Sequence, residues 1–272
     1  MDFKYFSKNG VALPLAEAVV PLSNIEYQYG FGVYENVRVV RGRPLFLDDH
    51  VERLEESARI IGLEHPFEST AIHHSVDELI AKNEIDTANL KLLLLGGRSE
   101  AEASLFILPL NPLFPDKKIY RDGVLLVSHQ YERLFPHAKT LNMLGSFLAY
   151  RKAKAADAYD ALLIDRQGFV TEGTRTNFFA LKGKTIYSPP ESEILLGVTR
   201  KYVLEAAHRS GFALEERKIT LADLKEYDAA FITSTSSKIL PVRQIDDASV
   251  DVSAPALREL MTAFDDFLQK TT

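Results

Sequence analysis

The sequence predicts an α/β protein of two domains, and three observations lead there. Short apolar runs rich in β-branched and aromatic residues alternate with stretches of helical periodicity along all 272 residues. That length suffices for one or two domains with large cores. Three prolines, Pro109, Pro112 and Pro115, fall within seven residues and work against regular structure there. The predicted division is residues 1–112, a linker over 113–121, and residues 122–272.

Composition narrows the function classes. Hydrophobic residues make up 46% of the chain and charged ones 26%, which is ordinary globular usage. With 38 acidic against 32 basic residues the formal charge is -6, and the basic residues are dispersed. Such a surface repels phosphate backbones and argues against nucleic-acid binding. The absence of cysteine excludes disulfides, thiolate nucleophiles and cysteine-based metal sites. The first residues lack the apolar core of a signal peptide, and no run of about 18 apolar residues could span a membrane. A cytoplasmic protein without membrane contacts is expected.

Residues 4–15 predict a hairpin, because Asn9-Gly10 supplies the two positive-φ positions of a tight primed turn. A second hairpin is expected from 33–40, a turn at Arg41-Gly42, and a return over 44–47. Asp48 then predicts a helix N-cap, with Val51, Leu54, Ala58 and Ile61 as the apolar stripe, Arg53 and Arg59 off it, and Gly62 as the stop. A further helix over 69–82 carries His73 and His74, which point in different directions and hold no metal together. Strands are expected over 90–95 and 103–108, and the Gly96-Gly97 pair between them is too bare for a phosphate loop.

In the second half, strands are expected over 124–128 and 161–164, the latter after a helix over 143–157, with a turn at 165–168. Lys182-Gly183-Lys184 joins two further strands. Gly197-Val198-Thr199 opens a helix closed by Gly211, and a helix over 221–226 follows a short strand over 214–218. The apolar strand 229–233 runs into Ser234-Thr235-Ser236-Ser237, whose hydroxyls and amides either grip an anion or form a plain polar loop. An amphipathic helix over 255–268 closes the chain, and there is no internal repeat.

Lys139, before a helix, and Glu172, at a strand end ahead of Gly173, are by themselves ordinary solvated charges. Their setting says more. Tyr29-Gly30-Phe31-Gly32-Val33-Tyr34-Glu35, His50-Val51-Glu52-Arg53-Leu54, Lys139-Thr140-Leu141-Asn142, Thr171-Glu172-Gly173, Leu196-Gly197-Val198-Thr199-Arg200 and Thr233-Ser234-Thr235 stand in this order over nearly the whole chain. In wording and order they resemble the class IV, or fold type IV, pyridoxal-phosphate aminotransferases. That family includes branched-chain aminotransferases, D-amino acid aminotransferases and aminodeoxychorismate lyases.

The resemblance implies a smaller N-terminal α+β domain, a larger C-terminal domain with a barrel-like sheet, a homodimer, and pyridoxal 5'-phosphate as cofactor. It implies that Lys139 forms the Schiff base and serves as the base, and that Glu172 faces the pyridine nitrogen, where a carboxylate stabilises the ring proton. Arg53 and the amides of Val198 and Thr199 at a helix start would take the phosphate, with Thr199, Ser234 and Thr235 adding donors. Tyr34 matches a tyrosine on the substrate side in the D-amino acid enzymes, and as a strand residue could equally pack in the first domain.

The departures are also specific. The family's Gly-Asp-Gly is Gly30-Phe31-Gly32, the glutamate after the hydroxyl run is Lys238, and the tyrosine that branched-chain enzymes place after the Schiff-base lysine is Leu144. The Arg-x-His pair that takes the substrate carboxylate in D-amino acid enzymes is missing, since the stretch reads Arg98-Ser99-Glu100-Ala101-Glu102-Ala103. Transamination between an α-amino acid and a 2-oxo acid is the favoured reaction because Tyr34-Glu35 keeps the transaminase wording. Elimination of pyruvate from aminodeoxychorismate is the alternative, and a cofactor-free binding protein on the same fold is the competing class.

Overall fold

A computed structural model describes residues 2–20, 23–112 and 115–271. The chain forms two compact units, one of Met1–Leu113 with His137–Asn142 and one of Phe114–Pro136 with Met143–Thr271. No helix among the described residues is long and apolar enough to cross a membrane.

The first unit opens with the hairpin β1 (Tyr5–Lys8) and β2 (Val11–Pro14). Asn9 and Gly10 have φ of 51° and 83°, the left-handed conformations a primed turn requires. After α1 (Ile25–Gln28) come β3 (Gly32–Val40), β4 (Arg43–Pro44), α2 (Leu47–Ile60), α3 (Ser69–Lys82), β5 (Ala88–Leu95) and β6 (Ser104–Leu110). The six strands form an antiparallel sheet in the order β2-β1-β6-β5-β3-β4. One face is apolar: Val33, Val37 and Val39 of β3 and Leu90, Leu92 and Leu94 of β5 pack with Val51 and Leu54 of α2 and Val76 and Leu79 of α3. Alternation puts Glu35 on that face too.

Three sequence expectations are corrected here. The N-cap of α2 is Phe46, in a left-handed conformation, not Asp48. Asp48 lies in the first turn, where its charge suits the positive helix end, and its carboxylate meets His73 Nε2 at 2.7 Å. Pro109 does not break structure, because it sits within β6 opposite Leu90. The β1 register ends at Ile107, so the ring meets no ladder on its other side. Residues 117–121, read as linker, lie in a helix, Lys117–Asp122. The Leu113-Phe114 part of that linker lies outside the described residues.

The second unit contains α4 (Lys117–Asp122), β7 (Val124–Gln130), α5 (Leu144–Ala155), β8 (Asp160–Ile164), β9 (Phe169–Gly173), β10 (Asn177–Lys182), β11 (Thr185–Ser188), α6 (Val198–Arg209), β12 (Ala213–Glu216), β13 (Ile219–Thr220), β14 (Ala229–Ser234), β15 (Lys238–Ile245), β16 (Ala248–Ser249) and α7 (Pro255–Thr271). Neither β15 nor α4 has a counterpart in the sequence reading, and the predicted helix over 221–226 is a 3-10 helix capped by Thr220. The strand path β10-β14-β15-β7-β8-β9 returns to β10 through the pair Asn177 and Glu172, which closes a barrel-like ring of six strands. The parallel neighbours β7 and β8 are joined through α5, as a crossover demands.

Alternation sorts the ring's side chains. Phe178, Ile232, Leu240, Val242, Leu126 and Leu162 form the inner core. Phe179 and Phe231, stacked at 4.9 Å, face the other way and pack with Val203 of α6 and Leu257, Leu260 and Phe264 of α7. The ring is therefore wedged between its own filled interior and a helical layer, and its strand ends are held in fixed register.

Candidate active site

In the first unit, residues 137–142 lie beside the open edge of β3. Tyr34 N donates to Lys139 O at 2.9 Å and Leu141 N to Gly32 O at 2.8 Å, with Val33 and Thr140 paired as a bridge. On its other side the Lys139 amide donates to Ser57 Oγ on α2 at 3.0 Å. The lysine backbone is thus pinned to a strand and to a helix. Its Nζ stands 4.7 Å from the centroid of the buried Tyr34 ring, and Lys91 Nζ stands 5.3 Å from the same ring. The π-face partly compensates the desolvation of the ammonium.

Behind this lysine is a charge cluster that sequence reading did not find. Glu35 is fully buried at core parity on β3. Arg53 grips it through Nε at 2.7 Å and Nη2 at 2.8 Å, and His50 Nδ1 meets it at 2.7 Å. His50 and Arg53 are one turn apart on α2, so a single carboxylate reaches both. Arg53, read as off the apolar stripe, nonetheless has its side chain only 13% exposed. Burial alone would raise the Glu35 pKa, but the Arg53 charge and the His50 hydrogen bond reverse this and hold it far below the ordinary carboxylate range. Burial lowers the His50 pKa despite Glu35, so the ring is neutral at pH 7 and Nδ1–H donates. A charged residue alternating with Val33 and Val37 was the available signal.

In the second unit, the closing end of the ring gathers the other predicted residues. Glu172 is 3% exposed, with Oε1 2.8 Å from Arg133 Nε and Oε2 3.4 Å from the Leu195 amide. Arg133 also donates from Nη2 to Thr174 O at 3.0 Å. This arginine was missed because nothing in the sequence ties it to Glu172. Asn177 donates from Nδ2 to Leu195 O at 2.7 Å, and a Cβ on Gly197 would lie 2.1 Å from Asn177 Oδ1. The loop ahead of α6 is thereby laid against Glu172 and Asn177, which fixes where Val198 and Thr199 begin their helix. No side chain caps that helix start. Ser234 ends β14, one residue past Thr233, which pairs with Asn177. Its Oγ lies 2.7 Å from Ser237 Oγ.

The structure thus groups Lys139, Tyr34 and Arg53 in the first unit and Glu172, Val198, Thr199, Ser234 and Thr235 in the second. Within each unit the groups are of the kinds that pyridoxal phosphate would require. An ammonium is held against an aromatic face, a carboxylate is buried at a ring end, and an uncapped helix start offers amides to an anion. The Thr233 hydroxyl, buried at the same ring end, has no hydrogen-bond partner among the described residues.

Comparison with known proteins gives a consistent picture. The family model described as amino-transferase class IV matches residues 32–245. The D-alanine aminotransferase of Bacillus licheniformis is 31% identical over 91% of this chain and 90% of its own length. A putative branched-chain-amino-acid aminotransferase of Methanocaldococcus jannaschii is 32% identical over 88% and 86%. Among solved structures, the branched-chain aminotransferase of Thermoproteus uzoniensis with norvaline has a TM-score of 0.89 at 26% identity, covering 98% of this chain and 95% of that one. A T.th. branched-chain amino acid aminotransferase with pyridoxamine 5'-phosphate shares the fold at a TM-score of 0.92 and 24% identity, covering 100% and 96%.

The buried cluster predicts an acid-sensitive fold. A carboxyl whose folded pKa is depressed stabilises the protein above its unfolded pKa of about 4.3, and that stability is lost as pH falls. Neutral buried His50 acts in the same direction, its contribution fading as pH drops below about 6.5. Glu35→Gln should cost about 3–5 kcal/mol at pH 7 by leaving Arg53 short of its partner. In urea titrations followed by circular dichroism, the gap from wild type should shrink as pH approaches 3. A gap that stays constant with pH would contradict the ionised cluster.

Proposed function

The chain belongs to the class IV aminotransferases, and on that premise we propose that it holds pyridoxal 5'-phosphate through Lys139 and moves amino groups between an α-amino acid and a 2-oxo acid. The observation that carries the residue assignment is the two-sided pinning of Lys139, whose amide and carbonyl are both engaged while its ammonium projects over Tyr34. A backbone so fixed leaves only the side chain to move, as a group that must both hold an aldehyde and shuttle a proton requires. The names of the relatives support amino transfer over pyruvate elimination, and point to a small or branched aliphatic amino acid as substrate.

The cofactor, when bound, supplies an electron sink that makes the substrate Cα–H acidic. The chain supplies the rest. Lys139, once released as a neutral amine, would take the proton from Cα. Arg53, held in one plane by Glu35, takes the phosphate, together with the amides of Val198 and Thr199 and donors from Ser234 and Thr235. Glu172 would hold the proton on the ring nitrogen, and Arg133 pairs with its carboxylate and orients it. Tyr34 lines the substrate side of Lys139.

We further propose a homodimer. On α5, Leu144, Phe147 and Leu148 are 67%, 52% and 48% exposed and share one helical face, which a second copy would cover.

Borohydride reduction followed by peptide mapping should place the cofactor on Lys139. A label on Lys152 or Lys154 would refute the assignment. Glu172→Gln should retain bound cofactor yet turn over on the order of 100-fold or more slowly, because a neutral partner cannot stabilise charge at the ring nitrogen; unchanged turnover would remove Glu172 from the site. In analytical ultracentrifugation at micromolar protein, the wild type should sediment as a dimer, and a strict monomer would contradict the α5 interface.

A further inference from the structure

Amino acids and 2-oxo acids both carry a carboxylate beside the reacting carbon, so the transfer proposed above needs a cation to receive it. In the first unit, Arg98 is spent on Glu102, with Nε and Oε2 at 3.0 Å, and its side chain is 75% exposed. Near the closing end of the ring, Arg133 faces Glu172, Arg200 faces Glu191, and Lys238 faces Asp265. Arg175 makes no ion pair with any described residue.

We propose that Arg175 is the residue that receives the substrate's carboxylate, an assignment that rests on the aminotransferase reading. It stands in the turn between β9 and β10, three residues after Glu172. That turn is rigid. Gly173 N donates to Thr176 O at 2.7 Å, and Thr174 N donates to Ala161 O at 3.1 Å. The hydroxyl groups of Thr174 and Thr176 both donate to the fully buried Asp160 carboxylate, the second at 3.1 Å. A Cβ on Gly173 would meet Thr176 Oγ1 at 2.0 Å, so the close turn depends on glycine there.

With both flanking threonines tied inward, Arg175 is the turn residue left facing solvent. Its guanidinium is not loose. Cζ lies over the Tyr150 ring of α5, 4.2 Å from its centroid, and that cation–π contact limits where the guanidinium can go. The Tyr159 hydroxyl, hydrogen-bonded to Ser237, feels the Arg175 charge, and Ser237 in turn bonds Ser234. Asn177 pairs with Glu172 on one side and Thr233 on the other, so Arg175, Glu172 and Ser234 all stand at one end of the ring. A held fork with no counter-charge among the described residues, at the end that bears Glu172, suits bidentate capture of a carboxylate.

The test compares cofactor-loaded wild type, Arg175→Gln and Arg175→Lys. Position 175 is exposed, so folding should survive, and cofactor content with thermal midpoints checks this. 4-Methylvaleric acid, a carboxylate without an amine, serves as the binding probe, read by the cofactor's absorbance. Arg175→Gln should bind it about 10- to 100-fold more weakly. It should also raise KM for the amino acid by a similar factor, with a smaller change in kcat. Arg175→Lys should recover part of the affinity, and a primary amine without a carboxylate should react equally with all three proteins. A cofactor-loaded Arg175→Gln that binds the acid as tightly as wild type overturns the assignment while leaving the aminotransferase reading intact. A wild type that takes up no cofactor overturns both.

Discussion

One backbone pairing, Glu172 with Asn177, converts the sheet of the second unit from an open path into a closed ring. Much of the chemistry at that end depends on it. Closure leaves no free edge between β9 and β10, so the Glu172 carboxylate is carried into a buried position where an opposite charge offsets the cost of burial. Arg133 provides that partner, and Asp160 secures the turn by accepting from two threonine hydroxyls. The same Asn177 anchors the loop that starts α6. A single closure point therefore sets the place of a carboxylate, a helix start and a hydroxyl run together.

The first unit solves a similar problem differently. A strand whose alternate residues fill an apolar core places Glu35 among valines and leucines, which is costly unless the charge is fully paired. Arg53 and His50 supply the pairing from one face of α2. The return on that cost is orientation, because a guanidinium gripped along one edge has its plane fixed before any ligand arrives. Lys139 is treated in the same spirit, with its backbone held on both sides and its charge over an aromatic ring.

Much of this was legible in the sequence, and the failures have physical causes. Asn9-Gly10 and the helix over 69–82 were readable because turn chemistry and 3.6-residue periodicity are local. The landmarks around Lys139, Glu172 and Val198-Thr199 were readable as a family resemblance. The barrel-like sheet was implied by the same resemblance, but the pair that closes it was not readable, since one register pair between β9 and β10 leaves no pattern in composition. β15 was hidden behind the hydroxyl run and contains Pro241, which discourages a strand reading. The partners of Glu172 and Glu35 were invisible for the usual reason that tertiary neighbours are distant in sequence: a helix and a strand lie between Arg133 and β9, which bears Glu172. Nothing in the sequence singles out Arg175 beside Thr171-Glu172-Gly173; its contact with Tyr150 and the absence of an ion pair to any described residue set it apart.

This chain carries out amino transfer, and its half-reaction is the most direct test. Purified protein with its cofactor is mixed with a panel of D- and L-amino acids while the visible spectrum is followed. At least one amino acid should convert the cofactor to its pyridoxamine form, and pyruvate or 2-oxoglutarate should then restore the starting spectrum. No conversion with any amino acid, together with pyruvate release from aminodeoxychorismate, would contradict amino transfer.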